Sequence, residues 1–205
     1  RYALESVLGR GGAATVYAAR DLLLQREVAV KLFAARADRP EHLLEQEAEA
    51  RLVAQLNHPS LTTLLDAGVE IVDGGAPQLF LVMERVVGVD LRRRLRSGPL
   101  TPLQAAYVGY DLAEGLQFVH RHGYLHRDVK PANILLDERA AARIRGKLTD
   151  FGISSRLGTS QGEFTTGTAA YLGPEQVEGL GEKAPLGATS RCVLHSCVRA
   201  MSRRL

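Results

Sequence analysis

The sequence predicts an α+β fold in which strands come first and helices follow. Short strand-like runs recur between Leu4 and Val86, a capped amphipathic helix opens at Thr101, and the pattern changes from one to the other after Gly88. At 205 residues, 45% apolar and 24% charged, the chain has the composition of a soluble globular protein able to bury a core. Residues 1–87 form the strand-rich part, 88–180 the mainly helical part, and 181–205 a tail of different character.

In the first part, Leu4, Val7 and Leu8 suggest a strand, Gly9 through Val16 a glycine-rich turn, and Val16 through Ala19 the returning strand. Glycines at such a tip allow close backbone approach to an anion and leave N–H groups to donate. Val28 through Phe33 is an apolar run carrying a single cation, Lys31, as a buried strand with one functional charge would. A buried ammonium needs a partner to keep its charge. The next helix supplies candidates: Asp38 and Pro40 signal its start, Asn57-His58-Pro59 its end, and Leu44, Ala48, Leu52 and Leu56 recur at helical spacing. Glu49 sits on the apolar flank, Glu45 one turn earlier is the second choice, and Glu47 faces Arg51 on the polar side. Leu64–Glu70 and Gln78–Val86 complete a set of five strands, with Asp73 through Pro77 as turn material between them.

In the second part, Thr101-Pro102-Leu103-Gln104 has capping-box form, and Ala105, Val108, Leu112, Leu116 and Val119 make an apolar stripe that Gly123 ends. Ile134–Leu136 and Gly146–Thr149 read as a hairpin whose tip, Arg139 through Arg145, is expected to be a solvated basic loop.

The chemistry concentrates in His126-Arg127-Asp128-Val129-Lys130-Pro131-Ala132-Asn133 and in Asp150-Phe151-Gly152. Moving a phosphoryl group from an anionic donor to a hydroxyl requires cations, oxygen ligands to hold them, and one carboxylate left off the metal. Asp128 is the candidate for that carboxylate, receiving the hydroxyl proton. Asn133 and Asp150 offer the oxygens that magnesium prefers, and Lys130 offers a point charge to the transferred phosphate. Either run alone is readily an ordinary capped turn; the pair in this order is far more specific.

Together these runs resemble the catalytic loop and metal-binding motif of the protein kinases. Lys130 at its position resembles the serine/threonine branch. The glycine run is similar to the family's G-x-G-x-x-G-x-V, with Ala14 in place of the third glycine, and Val28 through Lys31 resembles its V-A-x-K strand. The resemblance implies ATP and Mg2+ as cofactors and two lobes, a five-stranded antiparallel N-lobe with one helix and a partial, mainly helical C-lobe. It assigns Asp128, Lys130, Lys31 and Glu49 to catalysis, with Glu49 pairing Lys31. Nucleotide contacts fall on Leu8, Gly9, Gly11, Gly12, Val16, Ala29, Lys31 and Leu135, with Met83 as gatekeeper and Glu84 and Val86 meeting the adenine edge through main-chain atoms. Asn133 and Asp150 are the metal ligands. Residues 152–175 resemble an activation segment in which Thr165 and Thr166 are candidate phosphosites and Arg127 is the cation that would pair them. For Val16, Ala29 and Leu135 an ordinary core role explains the residue equally well.

Partners implied are proteins presenting Ser or Thr, and a second kinase chain for activation-loop autophosphorylation. A pI near 9.0 and net charge of +3, without Trp and with 5% aromatic residues, argue against nucleic acid. No run is long and apolar enough to span a membrane, and two cysteines suggest no disulfide framework. A cytoplasmic location follows, either free or as part of a longer membrane-anchored protein. The chain opens on Arg1 and is read as a fragment at that end. Beyond about residue 180 the resemblance stops, and Ala188-Thr189-Ser190-Arg191 stands where the family's Asp-bearing helix belongs. A truncated or frame-shifted tail is the expectation, a divergent minimal kinase the second choice. The functional alternatives are a catalytically inactive nucleotide-binding fragment or scaffolding pseudokinase, and, with least support, a basic nucleic-acid binder.

Overall fold

The computed structural model describes residues 1–12, 14–34, 50, 54–71, 76–124, 126, 128–137 and 143–150. These fall into two compact units, the first within residues 1–57 and 62–85, the second within 58–61 and 86–150.

The first unit is a five-stranded antiparallel sheet of β1 (Tyr2–Arg10), β2 (Ala14–Asp21), β3 (Arg26–Phe33), β4 (Leu64–Ile71) and β5 (Pro77–Glu84), in the order β1-β2-β3-β5-β4. Side chains alternate between faces with period two, so register decides what each face carries. Ala19 lies opposite Val28, and Val30 opposite Val82; these four bury together, with Tyr2, Leu65 and Phe80 packed against them. The intervening positions point to the other face, where Val16 lies opposite Lys31 and Ala29 opposite Met83. Ala29, Lys31 and Met83 are all buried.

The five expected strands are present, with altered ends. Gly9 and Arg10 pair with Val16 and Thr15, so the ladder runs into the glycine loop and leaves a shorter turn than the sequence reading of Gly9 through Val16. Gly11 N–H closes that turn on the Ala14 carbonyl at 2.9 Å. Pro77 begins β5 instead of ending the turn, which a first strand position permits because its missing N–H is not required there. Val86 lies beyond the strand. Of the expected helix after β3, Ala50 is helical and buried, and its carbonyl accepts from Ala54 N–H at 2.9 Å; Leu44, Glu45, Glu47, Ala48, Glu49 and Leu52 lie outside the described residues.

The second unit is organised by α2 (Pro102–Arg121), which follows the strand β6 (Gly88–Asp90) and the short helix α1 (Leu91–Arg96). Neither β6 nor α1 is anticipated from the sequence, because three and six residues are too few to show a period. The start of α2 is as expected: Thr101 Oγ1 accepts from Gln104 N–H at 3.2 Å while Gln104 Oε1 accepts from Thr101 N–H at 3.0 Å. At its end Gly123 has φ of 79°, its N–H donates to His120 O, and Tyr124 N–H donates to Val119 O, the paired bonds of a glycine-terminated helix. Val108, Leu112, Leu116 and Val119 are buried; Ala105 is only partly so, and Asp111 and Gly115 complete the buried face.

β7 (Ile134–Asp137) pairs with both β6 and β8 (Arg145–Leu148). Leu148 N–H also donates to Ser60 O at 2.8 Å, and Leu61 forms a parallel bridge to Leu148. The Ser60–Leu61 segment lies on α2 at Gly115, where an added Cβ would meet Leu61 Cδ2 at 3.1 Å and the Ser60 carbonyl oxygen at 3.3 Å. Gly115→Val is expected to cost about 1–3 kcal/mol through overpacking against backbone that cannot rotate away. A denaturant melt checks this; unchanged stability would mean the segment is displaced at little cost.

The hairpin tip departs from the expected solvated loop. Arg143 forks onto Asp111, with Nη2 to Oδ1 at 2.7 Å and Nη1 to Oδ2 at 2.9 Å, and its guanidinium lies 4.9 Å from the centre of the Tyr107 ring. Gly146 N–H donates to the same Asp111 Oδ2 at 3.0 Å. An acid on the apolar face of α2 is costly unless its oxygens are satisfied, and the hairpin supplies both donors. Arg145 is exposed as expected, and residues 138–142 are not described.

Candidate active site

The second unit holds the catalytic-loop candidates together. After α2 the chain passes through His126 and Asp128 into a single 3-10 turn, Pro131–Asn133, which delivers Asn133 to the start of β7. Lys130 precedes this turn in extended conformation, as the residue before a proline prefers. The turn closes with Asn133 N–H on Lys130 O at 2.8 Å.

Asp128 Oδ2 accepts from Asn133 Nδ2 at 2.8 Å and is paired with Lys130 Nζ at 2.8 Å. Asn133 Nδ2 also donates to the Asp128 carbonyl at 2.9 Å. One carboxylate oxygen is therefore held by two donors, which fixes the rotamer. The Asp128 and Lys130 side chains remain about a quarter exposed, at 25% and 26%, so the pair is accessible to solute. Both hydrogens of the Asn133 amide are directed at Asp128, so what Asn133 has left to offer is its Oδ1.

Asp150 follows β8 with φ of 61°. Left-handed backbone is uncommon outside glycine, is tolerated by Asp and Asn, and concentrates at functional positions. Asn133 and Asp150 together offer a neutral oxygen and a carboxylate. This suits a hard ion such as magnesium, which is commonly held by one or two protein oxygens and completed by water and phosphate. No group of three or more His, Cys, Asp or Glu is arranged to hold a metal among the described residues.

His126 ties the two runs together, a role that the sequence reading leaves unassigned. Its Nε2 lies 3.0 Å from the Thr149 carbonyl oxygen, which can only accept, so Nε2 carries the hydrogen. Nδ1 then accepts from Asp128 N–H, at 3.4 Å, while the same N–H donates to His126 O at 2.8 Å. Thr149 N–H returns to Asn133 O at 2.9 Å. A closed set of bonds thus sets the catalytic loop against the residue before Asp150. The signal for His126 is its place two residues before Asp128, but only burial shows what it does.

Burial lowers the His126 imidazole to about 4, so the ring is neutral at physiological pH. An unfolded His titrates near 6.5. The associated stability is complete above about pH 6.5, falls as pH drops toward 4, and amounts to about 3 kcal/mol over that window. His126→Gln is expected to remove this part of the acid destabilisation, so its melting temperature should fall less between pH 7 and pH 5. Parallel pH profiles for the two proteins would contradict the assignment.

In the first unit, Lys31 lies buried on the same sheet face as Val16, Ala29 and Met83, with Nζ 5.3 Å from the centre of the Phe33 ring. Leu8, Gly9, Gly11 and Gly12 are exposed at the hairpin, and a Cβ built on Gly9 or Gly12 would meet nothing within 4 Å. Glu84 N–H donates to Thr63 O at 2.9 Å and Glu84 Oε1 accepts from Thr63 N–H at 2.9 Å. The Glu84 side chain is thereby held to the Thr63 backbone. Val86 is partly exposed. Leu135 is half-buried on β7, in the second unit. Glu49, Arg127, Thr165 and Thr166 lie outside the described residues.

A family model described as the protein kinase domain matches residues 2–190. Serine/threonine-protein kinase PknB of Mycolicibacterium smegmatis is 41% identical over 186 residues, covering 87% of this chain and 29% of that protein. A probable serine/threonine-protein kinase of Corynebacterium efficiens is 39% identical over 205 residues, covering 97% of this chain and 30% of its own length. The chain thus spans under a third of these curated relatives. Among solved structures, Rad53 1–466 in complex with AMP-PNP matches with a TM-score of 0.73 at 24% identity, covering 97% of this chain and 47% of that one. That likeness concerns the fold. With the strand order, the catalytic-loop geometry and these matches in agreement, the chain belongs to the protein kinase family.

Proposed function

We propose that the chain is the catalytic domain of a serine/threonine protein kinase, transferring the γ-phosphoryl group of ATP to Ser or Thr hydroxyls of proteins. The observation that carries this reading is the state of Asp128: one oxygen is held by Asn133 and Lys130, each at 2.8 Å, in a carboxylate that is about a quarter exposed; on this reading the other oxygen meets the acceptor hydroxyl. Asp128 orients that hydroxyl and takes its proton as the oxygen attacks the γ-phosphorus. Lys130, held beside Asp128, would attract the transferred phosphate. Asn133 Oδ1 and the Asp150 carboxylate would hold magnesium, which when bound neutralises phosphate charge.

Lys31 is the cation assigned to the nucleotide phosphates, with Glu49 proposed as its partner. Val16, Ala29 and Leu135 would supply apolar contact to the adenine with Met83 as gatekeeper behind it, and Leu8, Gly9, Gly11 and Gly12 would cover the phosphates. The use of Glu84 N–H by Thr63 supports a division in which Val86 N–H donates to the adenine edge and Glu84 contributes its carbonyl. Phosphorylation at Thr165 or Thr166, with pairing by Arg127, is the proposed activating event, accomplished between two kinase chains.

The test is transfer of label from γ-labelled ATP, with and without Mg2+, to Ser-, Thr- and Tyr-containing peptides. Magnesium-dependent labelling of Ser and Thr peptides, with Tyr peptides unlabelled, is the expected result. Nucleotide binding without any transfer would favour the scaffolding alternative. No helix among the described residues is long and apolar enough to cross a membrane. From the likeness to bacterial serine/threonine kinases, the domain is proposed to work in the cytoplasm, free or as part of a longer membrane-anchored protein.

A further inference from the structure

The short helix α1 reads Leu91-Arg92-Arg93-Arg94-Leu95-Arg96, with no acid in its first turn. Leu91 is fully buried and anchors it, while Arg92, Arg93 and Arg96 are exposed. The N-cap is Asp90, whose Oδ1 is taken by Arg93 N–H at 2.9 Å. Arg94 Nη1 is occupied by the Gly98 carbonyl at 3.0 Å. The guanidinium groups of Arg92, Arg93 and Arg96 make no hydrogen bond or ion pair among the described residues.

A basic residue in a last helical turn is ordinary, because it meets the negative end of the helix dipole. The last turn holds Arg93, Arg94 and Arg96, and Arg92 lies before it. Arg92 and Arg96 are four residues apart and Arg93 and Arg96 three, spacings at which like charges repel. This repulsion within the cluster is set against the attraction of the dipole, and no acid among the described residues pairs its three exposed guanidinium groups.

Its position suggests what it serves. α1 packs against the 3-10 turn Pro131–Asn133, and Asn133 Nδ2 is 2.8 Å from the Asp128 carboxylate. Neighbouring elements pack about 10 Å apart, and an extended peptide advances about 3.3 Å per residue. A peptide with its hydroxyl at Asp128 thus comes abreast of α1 about three to five residues along. Arginine, permanently charged and able to fork onto carboxylates, is suited to such a surface.

We propose that Arg92, Arg93 and Arg96 select protein substrates carrying Asp or Glu about three to five residues from the phosphorylated Ser or Thr. The inference rests on the kinase reading for the location of the acceptor hydroxyl. An exposed ion pair contributes about 0.2–1 kcal/mol, a factor of about 1.4–5, so the three arginines together favour an acidic substrate about tenfold, chiefly in KM. The preference weakens with salt, as exposed charges do.

The experiment compares Ser peptides bearing three Glu, three Ala or three Lys at that distance, on either side of the acceptor. Wild type is set against the triple variant Arg92→Ala, Arg93→Ala, Arg96→Ala and the triple reversal to Glu. Both kcat/KM and peptide binding by fluorescence anisotropy are measured, at 50 mM and 500 mM NaCl. A Glu-peptide preference of about tenfold in wild type, lost in the alanine triple, reversed toward Lys in the Glu triple and reduced at high salt, supports the proposal. Equal use of the three peptides by wild type, or an undiminished Glu preference in the alanine triple, overturns it.

Two further arms separate other anionic partners. A phosphoserine peptide favoured while Glu peptides are not, or arginine-dependent binding to phosphatidylserine vesicles without peptide selectivity, would also overturn it. The KM for ATP should be the same in all variants. Arginine-dependent binding of the Glu peptide without any phosphoryl transfer would uphold the surface and count against the kinase reading instead, so the two can fail separately.

Discussion

Asp128→Asn is expected to lower kcat by about 10²–10⁴-fold while leaving nucleotide affinity within about twofold. The substitution is nearly isosteric. Its side-chain carbonyl can still accept from Asn133 Nδ2, so the closed set of bonds joining His126, Asp128, Asn133 and Thr149 survives. What is lost is the negative charge paired with Lys130 and the ability to receive a proton. An alanine at the same position would also strand the Asn133 amide and confuse catalysis with folding. Label transfer measured beside equilibrium nucleotide binding separates the two effects. Wild-type turnover in Asp128→Asn would mean that another group takes the proton, and the proposed role would fall.

Asp150→Asn should fail differently. Asn shares with Asp a tolerance of left-handed backbone, so the φ of 61° is kept and no strain is introduced. Thr149, whose carbonyl anchors His126 at 3.0 Å, keeps its place. The carboxylate charge is removed, however. Loss of an outer-shell partner commonly costs metal affinity about 10–100-fold, and loss of a direct ligand at least as much. Magnesium-dependent nucleotide binding is expected to weaken by that factor, with magnesium-independent binding unchanged. Titrating nucleotide with and without Mg2+ reads this directly; an equal loss under both conditions would show that Asp150 acts on the nucleotide or the fold and not through the metal.

The two substitutions divide a site whose pieces lie close in sequence. Asp128 and Asn133 are separated by one turn, and Asp150 follows the hairpin that starts at Asn133. Local chemistry explains why this part is legible from the chain: a proline-started turn, a hairpin and two acids have few ways to arrange themselves. The capping box at Thr101 and the glycine stop at Gly123 are legible for the same reason, since each is built from neighbours along the chain. The five strands of the first unit also follow from short apolar runs, although their ends moved where cross-strand pairing extended them.

Long-range contacts decided the rest. Arg143 reads as a solvated loop residue because its partner, Asp111, is a helix away; only the packing of the hairpin on α2 brings the fork onto the carboxylate. His126 becomes a buried neutral connector only when Thr149 lies beside it. The sharing of one sheet face by Val16, Ala29, Lys31 and Met83 follows from strand register, which no single strand specifies. The basic helix α1 gains a meaning through its packing on the turn that carries Asn133. In each case the sequence by itself determined which groups were available, and the tertiary structure decided which of them meet, because hydrogen bonds and ion pairs act over a few ångströms while their partners can be tens of residues apart.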